Sequence, residues 1–256
     1  MSYLPRLLDA SRARLRDLRA AGRKDLETAA AEAEPPRAFR ASLTHEGIAV
    51  IAEIKRATPS RGALAPGLDA GGIARAYAAG GAAAISVLTE RADFDGSLDD
   101  LGAARQAGLP ILRKDFILDE IQILESRAVG ADAVLLIVRL LGDDLRQLID
   151  SCRALGMDPL VEVFDEVDLA RARAAGAELI AVNHRDLESF EVDPNGSAKL
   201  APLLEEGTTL VAMSGVSTRA DVEALEELGA DAVLVGEALV RAPDPASKLR
   251  ELRGLP

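Results

Sequence analysis

The chain has 256 residues but no tryptophan, a single cysteine (Cys152) and only two histidines, His45 and His184. One thiol excludes an intrachain disulfide framework, and so few soft ligands argue against a cysteine-rich or histidine-rich metal centre. No apolar run approaches the roughly 18 residues that a membrane span requires. The opening segment MSYLPRLLDASRARLRDLRA lacks the apolar centre of a signal peptide. The expectation is a cytoplasmic protein whose mature chain starts here. Aromatics are sparse too, with five Phe and two Tyr, so a core of Ala, Val, Leu and Ile is expected. Lysine is the scarcest charge. Of 30 cationic residues five are lysines, at positions 24, 55, 114, 199 and 248, so a lysine in an unusual place carries information.

What is abundant is acid. Forty-two Asp and Glu leave a formal net charge of −12. That excess opposes approach to nucleic acid or an anionic membrane, and neither is expected as a partner. It leaves room for a small anion held by a local group of cations.

A glycine recurs just ahead of a short apolar run. Gly47, Gly81, Gly108, Gly130, Gly156, Gly176, Gly207 and Gly229 each precede one, about 26 residues apart on average. Glycine beyond a helix end supplies the left-handed turn that closes it. The runs that follow are nearly continuous rather than alternating, as in parallel strands covered on both faces. Stretches such as DDLRQLIDSCRAL and RADVEALEEL, apolar at helical spacing, lie between them. Eight such units predict a (β/α)8 TIM barrel over residues 47–256. A doubly wound open sheet is the competing arrangement. It accounts less well for eight units and for the missing GxGxxG after the first run. Residues 1–46 precede the repeat and read as one or two amphipathic helices broken at Pro35-Pro36. They form an N-terminal extension expected to pack on the barrel, because so short a segment rarely holds its own core.

Barrels of this kind place their chemistry at the C-terminal ends of the strands. The first run ends Glu53-Ile54-Lys55, with Glu53 and Lys55 on one side by alternation. Lys114 ends the third run, Glu162 lies in the fifth, and Asn183-His184-Arg185 end the sixth. A structural Glu53–Lys55 ion pair and a rim-capping Lys114 are the bland readings of single residues. Convergence of two scarce lysines, two carboxylates and an amide on one face favours proton transfer, for which burial can depress lysine pKa values. Ser214-Gly215-Val216-Ser217-Thr218 and Gly236 follow the last two runs, where such barrels bind phosphate next to helix N-termini.

The strings themselves are similar to one family. IAEIKRATPSRG at 51–62, SVLTE at 86–90, FDGS at 94–97 and LRKDFILDEIQILESRAVGADAVLLI at 112–137 resemble indole-3-glycerol-phosphate synthase. LVEVFDE at 160–166, VNHRDLESFEVD at 182–193, SGVST at 214–218 and VLVGEALVRAPDP at 233–245 continue the likeness, and PPRAFRASL at 35–43 resembles the segment before its first strand. The resemblance implies ring closure of 1-(2-carboxyphenylamino)-1-deoxyribulose 5-phosphate with loss of carbon dioxide and water, in tryptophan biosynthesis, with no metal or organic cofactor. It implies Lys114 as general acid, Glu162 as its acid/base partner, and Lys55, Glu53 and Asn183 as further catalytic groups. Arg185 and Thr58 would contact substrate, and Phe94, Phe116 and Leu135 would wall its aryl ring. Ser214, Gly215, Gly236 and Glu237 would take the phosphate. A monomer or weak homodimer is expected.

Three positions depart from the family pattern. Met213 stands where a Glu is usual, Thr58 where a Ser is usual, and His184 where a second Asn is common. His184 is expected as a partly exposed rim residue rather than a proton carrier. Met213 motivates the alternative of a catalytically weakened barrel that binds a phosphorylated ligand. A sugar-phosphate isomerase or a Schiff-base aldolase is a further alternative. The isomerases of this barrel class carry Cys or Asp at the first strand end, whereas this chain has Glu53 and Lys55.

Overall fold

The computed structural model describes residues 4–44, 47–59, 61–186 and 191–255. His45, Ser60 and positions 187–190 of the sixth-strand motif lie outside them. Eight parallel strands follow one another around a closed barrel: β1 (Ala49–Ile54), β2 (Ala84–Leu88), β3 (Ile111–Lys114), β4 (Ala133–Ile137), β5 (Asp158–Val163), β6 (Leu179–Asn183), β7 (Thr209–Met213) and β8 (Ala232–Val235). Ala49 pairs with Ala232 and Ile51 with Ala84, so β1 closes the ring between β8 and β2. Helices alternate with the strands, as in a TIM barrel.

All eight repeat glycines have φ between +74° and +88°. Gly130 shows why. Its N–H reaches the Arg127 carbonyl at 3.1 Å and the next N–H, of Ala131, reaches Ser126 at 2.9 Å, closing the helix Glu120–Ala128 before β4 begins. The helix Arg219–Glu227 starts on a capping box formed by Thr218 and Asp221.

Strand alternation makes two cores. Val50, Ala52 and Ile54 face the helices, while Ala49 and Ile51 join Leu112, Leu135 and Leu234 inside the barrel. At the same inward positions, one step nearer the strand ends, stand Glu53, Lys114, Glu162 and Asn183. The apolar interior therefore serves as a floor for a polar mouth.

The N-terminal segment holds three helices, α1 (Leu4–Ala21), α2 (Arg23–Glu32) and α3 (Phe39–Ser42), where one or two were expected. Residues 34–38, with Pro35 and Pro36, carry no helix. The two ends of this segment do different things. Phe39 and Leu43, both fully buried, enter the inner core next to Ala49 at the start of β1 and plug the lower end of the barrel. α1 instead reaches the upper end, where the Ser11 hydroxyl donates to the Phe116 carbonyl at 2.8 Å.

Candidate active site

The mouth opens into a cavity of about 580 Å³. Every residue expected to be catalytic or to bind substrate or phosphate lines it. Its centre is Glu53, 1% exposed, whose two oxygens hold two different lysines: Lys55 at 2.6 Å and Lys114 at 2.8 Å. Burial alone would raise the Glu53 carboxyl, but Lys114 and then Lys55 overcome it and hold it down at about 2. Lys114 differs from the depressed lysine anticipated from burial. Desolvation does work against its charge, yet Glu53 and then Glu162 outweigh it and raise its pKa. The ammonium is therefore kept charged by its carboxylate neighbours.

Glu162 stands opposite in character. Burial raises its carboxyl, with Lys114 and Asn183 opposing the shift. The two carboxylates are thus pushed apart, one permanently ionised and the other able to carry a proton. Asn183 orients Glu162 by donating its amide N–H to Oε1 at 3.2 Å. Its own orientation is unambiguous, because Oδ1 accepts the Arg185 backbone N–H at 3.0 Å and the Ser214 hydroxyl at 2.9 Å. Arg185 is partly buried, and desolvation lowers its pKa.

Gly236 has a steric reason to be glycine. A β-carbon there would lie 2.3 Å from a Glu53 oxygen and 2.9 Å from the Lys55 nitrogen. The carboxylate and ammonium occupy the space a side chain would need. Ser214 and Gly215 both adopt the left-handed region, at φ +71° and +82°. Glu237 lines the cavity with its carboxylate already paired to Arg61 and, at 3.2 Å, to Arg241, so its side chain has cationic partners of its own. The Arg61 contact ties the loop after β1, which carries Thr58 in a small hairpin (Ala57–Thr58 with Gly62–Ala63), to the end of β8.

Phe94, Phe116 and Leu135 form the apolar side of the cavity. Phe94 and Phe116 have support that the sequence did not announce. Glu90 accepts the N–H groups of Ala92, Asp93 and Phe94 at 2.7, 2.9 and 3.3 Å and so shapes the loop bearing Phe94. Asp115 accepts the Phe116 N–H at 2.9 Å and bonds Arg113, Thr89 and Arg14 through its other oxygen. Arg113, next to Lys114 at the end of β3, points away from the cavity and is fully buried against the helix Glu120–Ala128, paired with Glu125 at 2.9 Å. Met213 is 1% exposed and packs in the inner core below the mouth. His184 is not the exposed rim residue expected: it is 6% exposed, with both ring nitrogens bonded. Among the described residues no group of His, Cys, Asp and Glu is arranged to hold a metal ion, and no helix is long and apolar enough to cross a membrane.

Comparison with known proteins adds a family to this geometry. The model of the family described as indole-3-glycerol phosphate synthase matches residues 4–252. Indole-3-glycerol phosphate synthase 2 of Streptomyces coelicolor is 51% identical over 227 residues, 88% of this chain and 88% of that one. The indole-3-glycerol phosphate synthase of Nocardioides sp. is 50% identical over 233 residues, 90% of each. Among solved structures, thiamine phosphate pyrophosphorylase from Pyrococcus furiosus superposes with a TM-score of 0.62 over 84% of this chain and 96% of its own. At 18% identity that likeness speaks for the fold alone.

Proposed function

Because the chain belongs to the indole-3-glycerol phosphate synthase family, we propose that its mouth closes the indole ring of 1-(2-carboxyphenylamino)-1-deoxyribulose 5-phosphate, a decarboxylating lyase reaction in tryptophan biosynthesis. The observation that carries this reading is Glu53 bridging Lys55 and Lys114 across from a carboxyl of opposite pKa shift.

The ring carbon bearing the carboxylate attacks the ribulose carbonyl. Lys114, kept protonated by its acidic neighbours, gives a proton to the carbonyl oxygen as the carbon–carbon bond forms. Loss of carbon dioxide returns its electron pair to the ring. The new hydroxyl then leaves as water with a proton from Glu162, whose carboxylate removes the proton that completes the double bond of the indole. Glu53 holds both ammonium groups in place and stays ionised throughout. Lys55 stabilises the oxygen that develops charge.

Binding follows from the same inventory. Arg185 suits the substrate carboxylate and Thr58 the polyol. Phe94, Phe116 and Leu135 exclude water from the aryl ring and orient it. Backbone donors at Ser214, Gly215, Gly236 and the Glu237 N–H suit the phosphate. The alternative of a catalytically weakened barrel finds no support in the family match or the relatives.

Formation of indole-3-glycerol phosphate, followed by its fluorescence, is the test. The wild-type chain should turn over, and Lys114→Ala should lose at least about 100-fold in kcat. Absence of product at micromolar enzyme would overturn the assignment.

A further inference from the structure

His184 lies at the end of β6, where the backbone hydrogen-bonds across to β7 through His184 N–H and the Met213 carbonyl at 3.0 Å. Its ring connects two segments that are otherwise apart. Nδ1 lies 3.1 Å from the Ser214 carbonyl, and Nε2 lies 2.8 Å from the Ser197 hydroxyl and 3.3 Å from the Ser197 N–H. The tautomer is decided by two backbone groups. A carbonyl can only accept, so Nδ1 carries the proton; an N–H can only donate, so Nε2 is bare. The ring is neutral and fully engaged, and burial lowers its pKa further. Neither nitrogen is left to serve a substrate.

The packing around it is equally specific. A β-carbon at Gly196 would stand 3.0 Å from the His184 ring, so glycine there makes room for the imidazole. On the other side, Ser214 sits at φ +71°, a conformation that is costly for a residue with a β-carbon. Something has to hold it there. Two contacts from the end of β6 are placed to do so: the Ser214 hydroxyl donates to Asn183, and His184 Nδ1 donates to the carbonyl of Ser214 itself, the group whose direction the backbone conformation sets.

We propose that His184 is a positioning residue that holds Ser214 in its left-handed conformation and so shapes the Ser214–Gly215 segment for an anion. The Ser214 hydroxyl, in turn, is kept on Asn183 and through it on Glu162. The proposal rests on the reading of Ser214 and Gly215 as the phosphate segment, and its test uses inorganic phosphate as the probe.

Two substitutions separate the two bonds of the ring. His184→Asn places an amide N–H near the Nδ1 position and keeps the Ser214 contact while giving up Ser197. His184→Gln does the reverse. Titrating inorganic phosphate into the full-length chain by calorimetry should give His184→Asn an affinity within about threefold of wild type, and His184→Gln a loss of about tenfold, the scale of one hydrogen bond. Equal losses in both variants, wild-type affinity in both, or the opposite order would each overturn it. No phosphate binding by the wild type would overturn it as well. A wild type that binds phosphate yet forms no indole-3-glycerol phosphate would instead sink the synthase reading, while the order of the two variants would still decide the role of His184.

Discussion

Two buried glutamates, both 1% exposed and facing the same cavity, end with opposite electrostatics because only one of them touches two ammonium groups. Their removal should therefore have opposite effects on stability. The folded-state pKa of Glu53 is depressed, so its contribution is fully present above the ordinary carboxyl value of 4.5 and is lost as pH falls through about 2. Glu53→Gln leaves two lysines without their partner and should cost about 3 kcal/mol at pH 7. Glu162 is raised, so at neutral pH folding must keep a disfavoured carboxylate or bind a proton. Glu162→Gln should leave stability unchanged or increase it, while abolishing turnover. Urea unfolding of both variants at pH 7 checks the pair, and equal destabilisation would contradict it. The same reasoning applies at Gly236. The backbone there, at φ −120° and ψ −73°, lies outside the regions that residues with a β-carbon favour, and an added methyl group would displace Glu53 and Lys55. Gly236→Ala should lower the melting temperature and, assayed where the variant is folded, lose about 100-fold in kcat, the scale of a misplacement of one ångström.

At the scale of elements, α1 works as a brace for the loop after β3. Arg14 reaches Asp115 at 3.0 Å and Glu125 at 2.6 Å, joining a network with fully buried Arg113. Burial resists the ionised Asp115, but Arg113, the Thr89 hydroxyl and Arg14 keep its carboxyl low. Lys114 and Phe116 flank that residue, so the proposed acid and the proposed aryl wall are set by a helix about 100 residues away in sequence. Arg14→Ala should destabilise by about 1–2 kcal/mol. It should also lower kcat/KM about fivefold, the activity equivalent of about 1 kcal/mol. Steady-state kinetics beside a denaturation curve reads both, and an unaltered kcat/KM would show that α1 only covers the barrel.

For the molecule as a whole, the barrel divides its two ends between stability and chemistry. Below, Phe39 and Leu43 fill the opening that the short residues Ala49, Ala84, Ala133 and Ala232 leave in the inner core. Above, charged groups stand where the next layer would be. Phe39→Ala removes a fully buried ring far from the cavity and should cost about 3–5 kcal/mol while leaving kcat near wild type at a temperature where the variant is folded. A fall in kcat matching the loss in stability would mean the two ends are coupled. Net charge also belongs to this scale. The excess of acid disfavours polyanions, whereas Lys55, Lys114 and Arg185 inside one mouth still suit a small phosphorylated acid.

Periodicity is a local property, and so the barrel, its eight glycine turns and the residues at strand ends could all be read from the chain. Inward or outward direction follows from a period of two, which is why Glu53, Lys55, Lys114, Glu162 and Asn183 were legible as one set. Contacts between distant segments carry no such period. The brace from Arg14, the plug of Phe39, the loop held by Glu90 and the seat of His184 depend on which strands close next to which. The direction of the Lys114 shift depends on the same fact, since burial and two carboxylates pull it in opposite senses and only their distances decide the winner. The sequence by itself determined which groups face the mouth; the tertiary structure decided which of them are held charged and which are pushed toward the neutral form, because that is set by neighbours a few ångströms away rather than by neighbours in the chain.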